Sequence, residues 1–330
     1  MINNGALIEV KNLDVFYKVY EGELKVLNGV NFYINFGERV GLVGETGCGK
    51  STLLKAILRI LRTPPAVIKG EILFEGKEDI LKMDSLRLFK IRKKYLSLIF
   101  QDPIAALNPV FTIGALLYDI IKFQYKQSIS FNTKKVKEEI KKKQIQVLES
   151  VLLSDPERIL NSYPVQLSGG MCQRVSIAMA LLCNTSLLIA DEPTTALDVT
   201  ISDQILRLIG NLVRSKGISY LLISHNLGII RGMTSRLYVM YAGNIVETAP
   251  TKIFFENPLH PYSRGLLNAI PKLNGEMGEG IKGYITDYVD IPTGCRFYPR
   301  CPHARKTCRE KKPPLFKIDS NHKVACFLYQ

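Results

Sequence analysis

Gly44-Glu45-Thr46-Gly47-Cys48-Gly49-Lys50-Ser51 has the composition and spacing of a loop that holds phosphate. Its glycines let backbone N–H groups approach an anion, and a helix starting there adds the positive end of its dipole. Lys50 is placed for the β- and γ-phosphates of a nucleotide and Ser51 for Mg²⁺, with Thr52 continuing the same turn. Further along, the apolar run 187–190 ends in Asp191-Glu192. In phosphate-loop enzymes an aspartate at such a strand end supports Mg²⁺. A neighbouring glutamate can act as general base on the attacking water. Gln101, after the apolar run 96–100, can ligate Mg²⁺ or hold water without adding charge. His225 follows the run 220–223 and suits a sensor of the γ-phosphate. Ser168-Gly169-Gly170 is a second glycine-rich helix start, with free N–H groups and a positive dipole end. Taken singly, these are a loop glutamine, a structural histidine and two solvated carboxylates. In order behind a phosphate loop, they describe ATP binding and hydrolysis.

The cysteines carry a separate signal. Cys295, Cys301, Cys308 and Cys326 have the spacing Cys-x5-Cys-x6-Cys-x17-Cys. Four thiols so close together suggest thiolate ligation of metal, although the gaps are wider than those of the usual zinc pairs. Unligated thiols are the alternative. His303 and His322 lie nearby and read as surface residues. Cys48 sits at a helix N-terminus two residues from Lys50, features that favour a reactive thiolate; a buried, inert thiol is the other reading.

The elements that must position these groups follow from hydrophobic patterning. Alternation over 8–10 and 12–17 predicts two edge strands, and 30–34 another. The run 39–43 is a short buried strand feeding the phosphate loop, and 51–60 continues as a helix that stops before Pro64-Pro65. Strand returns at 68–74, helix dominates from about 84, and 112–160 reads as a helical insertion. The runs 187–190, 220–223 and 237–240 suit a buried parallel sheet, with 203–214 as a crossover helix. Prolines 258, 261 and 271 punctuate the end of a large domain, and 275–283, with four glycines, reads as a linker to the cysteine-bearing tail.

At 330 residues, 46% hydrophobic and 22% charged, the chain is globular and long enough for one large domain with an appendage. It shows no secretory signal and no apolar run long enough for a bilayer, so a cytoplasmic location is expected. The net charge of +14 permits nucleic-acid binding or a surface facing anionic lipid. Much of it falls in 134–143, which reads as an exposed helix with Glu138 and Lys142 one turn apart and no interleaved aromatics. A solvated basic surface is favoured, and no nucleic-acid partner is expected.

The ordered elements Gly44–Ser51, Gln101, Leu167-Ser168-Gly169-Gly170-Met171-Cys172-Gln173, 187–192, Ala196-Leu197-Asp198 and His225 resemble those of the ATP-binding cassette (ABC) ATPases over about residues 7–270. The resemblance implies an α/β fold. A P-loop core would carry an antiparallel β subdomain and a helical subdomain at about 104–175 within residues 1–270. A small cysteine-rich domain would occupy 271–330. It implies that Gly44, Glu45, Thr46, Gly47, Cys48, Gly49, Lys50, Ser51, Thr52, Gln101 and Asp198 serve ATP. Mg²⁺ would be held through Ser51, Gln101 and Asp191. Glu192 and His225 would be catalytic, and Tyr17 would stack on adenine. Ser168, Gly169 and Gly170 would bind the γ-phosphate of ATP held by a partner subunit. One departure is Asn226, where the family usually has Asp.

Phe100-Gln101-Asp102-Pro103, Leu107-Asn108-Pro109, the 191–198 segment and the tail from Gly294 resemble the oligopeptide/dipeptide importer ATPases. Met171 makes the chain similar to the D-type subunit of that pair. This implies a second, different ATPase subunit, two transmembrane permeases, an extracellular solute-binding protein, and a place on the cytoplasmic face of the membrane. It also implies a [4Fe–4S] cluster on Cys295, Cys301, Cys308 and Cys326, with Zn²⁺ as second choice. The solute would be peptide, or oligosaccharide in some transporters of this type. Two other classes remain: a soluble ABC ATPase acting on nucleic acid or ribosomes, which usually carries two cassettes per chain, and a non-hydrolysing subunit, against which Glu192 and His225 count.

Overall fold

The computed structural model describes residues 5–20, 22–64, 66–124, 134–183, 185–270, 278, 280–284, 288 and 291–330. Pro271, part of the expected linker 275–283 and part of the expected insertion 112–160 lie outside them. The chain forms two compact units, one of residues 1–89 and 221–330, the other of residues 90–220.

In the first unit, strands Ala6–Val19, Gly22–Asn35, Ala66–Phe74 and Glu78–Asp79 form an antiparallel sheet. The two edge strands expected at 8–10 and 12–17 are a single strand, Ala6–Val19, and it is internal. It pairs with Gly22–Asn35 on one side and Ala66–Phe74 on the other. The break in alternation is a register shift around Asn12, whose φ of 47° kinks the strand without ending it. Leu7, Ile8, Val10, Leu13 and Val15 are buried along it.

A second sheet in this unit runs, from its edge inward, Phe316–Lys317, Lys323–Val324, Asn244–Pro250, Arg236–Tyr241 and Arg39–Val43. Arg39–Val43 pairs parallel with Arg236–Tyr241, as expected for a buried core strand. Four of its five residues are buried, and it delivers the chain straight into the phosphate loop. The helix after the loop runs Lys50–Ile57 rather than to 60, because Arg59 adopts a left-handed φ of 51° and turns the chain away. The tail joins the same sheet: Lys323 and Val324 pair with Thr248 and Glu247.

In the second unit, Leu96–Ile99 pairs parallel with Leu187–Asp191, from Leu96 opposite Leu187 to Ile99 opposite Ala190. Helices Ile113–Gln124, Lys134–Ser150, Pro156–Asn161 and Gly169–Leu182 pack on one another. Ile113, Leu117 and Ile121, at i, i+4 and i+8, form the buried stripe of the first. Leu148 and Val151 close the core from the end of the second. The basic segment is helical as expected, and its Lys141 pairs with Glu157 of the next helix at 2.9 Å. The expected crossover helix is longer than 203–214, running Val199–Lys216, because Asp198 caps it and Gly217 ends it at φ 61°.

Candidate functional site

In the first unit the loop between Val43 and Lys50 stands ready for an anion. Helix Lys50–Ile57 begins after Gly49, whose left-handed φ of 105° a side chain would strain. Thr46 and Gly47 form the exposed apex, whereas Gly44, Cys48 and Gly49 are buried. Lys50 crosses the loop from inside, its Nζ donating to the carbonyls of Gly44 at 2.8 Å and Glu45 at 2.9 Å and lying 3.7 Å from Cys48 Sγ. Ser51 is exposed and Thr52 half-buried on the first turn. Tyr17 is half-buried on its strand, next to Phe16, whose ring carries the ammonium groups of Lys25 and Lys69 at 5.2 and 5.3 Å.

Of the two readings of Cys48, the structure bears out the buried thiol. Cys48 is fully buried, and burial pushes its thiol up despite Lys50, so it is not a reactive thiolate. Glu45 turns its polar groups into the protein: its N–H donates to Tyr262 Oη at 2.9 Å, and its carboxylate takes two bonds from Arg300, at 2.7 and 3.1 Å. Nothing in the local sequence pattern marks these partners, which arrive from more than two hundred residues away.

His225 is exposed just past strand Ser219–Ile223. Asn226, the departure from the family pattern, caps helix Leu227–Met233 and accepts from the N–H groups of Gly228 at 2.9 Å and Ile229 at 3.3 Å. Asparagine caps as well as aspartate does, so the substitution preserves the turn that presents His225.

The second unit carries Gln101, Asp191 and Glu192. Asp191 is buried at the end of strand Leu187–Asp191. Glu192 follows with a left-handed φ of 48°, a strained setting for a residue other than glycine. Gln101 Nε2 donates to Glu192 Oε2 at 3.3 Å, and Thr195 Oγ1 lies at the same distance from that oxygen while also donating to the Glu192 carbonyl. The structure thus brings Gln101 and Glu192 together and adds Thr195 as a brace. Asp198 uses a carboxylate oxygen to cap its helix at Ile201 N–H.

Ser168 is the N-cap of helix Gly169–Leu182 and accepts from Met171 N–H at 3.3 Å. At Gly170 a Cβ would lie 3.3 Å from the Ala196 carbonyl, a tight fit within this chain; at Gly169 it would meet nothing within 4 Å. From the same helix fully buried Gln173 donates to the carbonyls of Phe100 at 3.3 Å and Pro193 at 2.8 Å. It ties the Ser168 helix to the loops that carry Gln101 and Glu192. The sequence holds it in plain view, but only the fold shows what it touches.

Cys295, Cys301, Cys308 and Cys326 line one cavity in the first unit, with His303 and Phe297 among its walls. Burial pushes the Cys295 thiol up to about 12, and the other three thiols add repulsion between like charges. Gly294 is required there, because a Cβ would lie 2.3 Å from the Cys308 carbonyl, which accepts from Cys295 N–H. Among the described residues no group of three or more His, Cys, Asp or Glu is placed to hold a metal ion. His303 is exposed, as expected. His322 is not: it is 2% exposed, with Nε2 2.8 Å from Glu247 Oε1. Glu247, wholly buried, also accepts from the N–H groups of Leu259 and His260. Burial opposes its charge, but these bonds hold its carboxyl below the usual range.

The ABC transporter family profile matches residues 27–195, and the profile for the C-terminal region of oligopeptide/dipeptide transporters matches residues 246–308. The chain belongs to the ABC transporter ATP-binding subunits of the oligopeptide/dipeptide family. The oligopeptide transport ATP-binding protein OppD of Bacillus subtilis is 41% identical over 99% of this chain and 90% of its own length. OppD of Salmonella typhimurium is 39% identical over 98% and 93%. The dimeric ATP-binding cassette MJ0796, in a post-hydrolysis state bound to ADP and Pi, superposes with a TM-score of 0.65 and 29% identity, covering 74% of this chain and 98% of that one. The P-loop ABC ATPase fold and ATP hydrolysis are thereby shown. Among the described residues no helix is long and apolar enough to cross a membrane.

Proposed function

We propose that this chain is the D-type ATPase subunit of an importer of di- and oligopeptides. It pairs with a second, different ATPase on the cytoplasmic face of the membrane, below two permeases supplied by an external solute-binding protein. The observation that carries the peptide substrate is the 246–308 match to the oligopeptide/dipeptide transporter region, which spans three of the four clustered cysteines. Relatives named for oligopeptide transport agree with it along nearly the whole chain. Exposed Ile104, Val110 and Phe111, shortly after Gln101, are an apolar set suited to a permease.

Each unit's residues have a defined task. Lys50 leaves its internal carbonyl partners for the β- and γ-phosphates, whose oxygens offer a charged acceptor in place of neutral ones. Backbone N–H groups of the loop other than that of Glu45 cradle the same phosphates, and Tyr17 stacks on adenine. Ser51, Gln101 and Asp191 are the groups that would hold Mg²⁺, which would supply charge neutralisation at the transferring phosphoryl. Glu192, aimed by Gln101 and Thr195, takes the proton of the attacking water. His225 stabilises the γ-phosphate. Ser168 and Gly169 face the ATP of the partner subunit: nothing inside this chain demands glycine at 169, so the demand comes from outside.

Cys295, Cys301, Cys308 and Cys326 are assigned to one [4Fe–4S] cluster. Four thiols lining a shared cavity supply the number of thiolates that such a cluster takes. A bound cluster would stabilise the thiolate forms that burial now disfavours and would cross-link a tail with little core. The residues 271–330 therefore form the C-terminal cluster-bearing segment.

A cell lacking the chain should lose tripeptide uptake, regain it with the wild-type chain and not with Glu192→Gln. Restoration of trisaccharide uptake alone would overturn the peptide assignment. Protein purified without oxygen should be brown and hold about four irons. Stoichiometric zinc would reject the cluster, and four freely titrating thiols would reject metal altogether.

A further inference from the structure

Among the described residues, the phosphate loop has a second shell built by the C-terminal region. The segment Cys295-Arg296-Phe297-Tyr298-Pro299-Arg300-Cys301 turns its two cysteines toward their shared cavity and its two arginines the other way. Arg300 is 5% exposed in its side chain and makes a two-pronged ion pair with Glu45, the second residue of the loop, at 2.7 and 3.1 Å. Two further donors go to the carbonyls of Ile281 at 3.2 Å and Lys282 at 3.0 Å. Arg296 is buried, donating to the carbonyls of Ala242 and of Lys25. Next in the chain, Gly243 donates its N–H to the Cys48 carbonyl at 2.7 Å. Tyr288 Oη donates to the Gly47 carbonyl at 2.9 Å, and Tyr262 Oη accepts from Glu45 N–H. Glu45, Gly47 and Cys48 are thus held from outside the loop, the first two by Arg300 and Tyr288 of the C-terminal region.

The electrostatic consequence falls on Glu45. A carboxylate within a loop that binds a triphosphate opposes binding unless it is neutralised and turned away. Arg300 does both: its planar fork matches the carboxylate and leaves it one orientation. We propose that Arg300 is a positioning residue for ATP binding, which cancels the Glu45 charge and fixes the loop through the cysteine-bearing segment. The arginine precedes Cys301 directly, so the geometry of the four-cysteine site and the readiness of the phosphate loop share one short piece of backbone.

The test is MgATP affinity of the intact subunit, measured with the assembled complex's KM and kcat. Arg300→Gln leaves Glu45 charged and unpaired and should weaken MgATP binding and raise KM about tenfold, with kcat changed less than twofold once ATP saturates. Adding Glu45→Gln in the same chain should recover most of the affinity, because the repulsive charge is then gone. A purely structural brace predicts the opposite: the double variant binds as weakly as Arg300→Gln, or worse. Equal affinity of Arg300→Gln and wild type, or failure of Glu45→Gln to rescue, overturns the proposal. Should Arg300→Gln not fold, Arg300→Lys serves. It keeps the charge but not the fork, and it should fall between wild type and a tenfold loss at low salt; wild-type affinity there also overturns it.

Discussion

At the scale of single residues, chemistry depends on which oxygen or sulfur is presented and what holds it. Glu192 is held by Gln101 and Thr195 on a strained backbone, so its replacement by glutamine keeps the shape and removes the proton acceptor. Glu192→Gln should bind MgATP normally and lose at least about 100-fold in hydrolysis, measured by phosphate release from the assembled complex. Wild-type turnover would remove Glu192 from its role. Cys48 behaves in the contrary sense to its sequence setting. A helix N-terminus and a lysine favour thiolate, yet full burial outweighs both and raises its pKa. Brief alkylation of nucleotide-free protein near neutral pH should therefore leave Cys48 unmodified. Peptide mapping checks this, and rapid labelling there would contradict the buried setting.

At the scale of elements, strand Asn244–Pro250 links the sheet to the tail, and Glu247 is the residue on which the tail's attachment turns. It pairs with Val324 in the ladder, with His322 through its side chain, and with the N–H groups opening helix Pro261–Asn268. Removing its charge weakens the buried hydrogen bonds that its carboxylate accepts, which costs about 2 kcal/mol. Glu247→Gln should thus lower the unfolding midpoint at pH 7. The folded carboxyl lies below its unfolded value of 4.5. The stability it adds is therefore full above about pH 4.5 and is lost as pH falls through the folded value. The gap between wild type and Glu247→Gln should close in that acid window, as followed by denaturant titration. A gap independent of pH would mean that the charge is not what matters.

At the scale of the whole molecule, the proposed role of Gly169 toward the ATP of a partner chain can be separated from any role inside this chain. A Cβ there meets nothing within 4 Å, and alanine is the better helix former by about 1 kcal/mol. Gly169→Ala should keep or slightly raise the thermal midpoint of the isolated subunit while ATP hydrolysis by the assembled complex falls. Loss of stability in the isolated subunit would locate the demand for glycine inside this chain instead. The Arg300 bridge belongs to this scale as well, since it makes the tail part of the phosphate loop's surroundings rather than a separate appendage.

The local motifs were legible from sequence because each answers a local demand. Phosphate needs glycine backbone and a helix start at 44–51, and the carboxylates must end a buried strand at 191–192. The core strand at Arg39–Val43 likewise declares itself by continuous apolarity. The strand Ala6–Val19 was read as two edges because alternation fails at Asn12. Only pairing on both sides shows that the chain continues through the kink. His322 looked like a surface residue because its burial depends on Glu247, 75 residues away. The partners of Glu45, Cys48 and Gly47, and the bridging reach of Gln173, were out of sight for the same reason. Sequence spacing carries information about neighbours along the chain. An ion pair between residues 45 and 300 is chosen by the sheet that brings them together, and that choice exists only once the chain has folded.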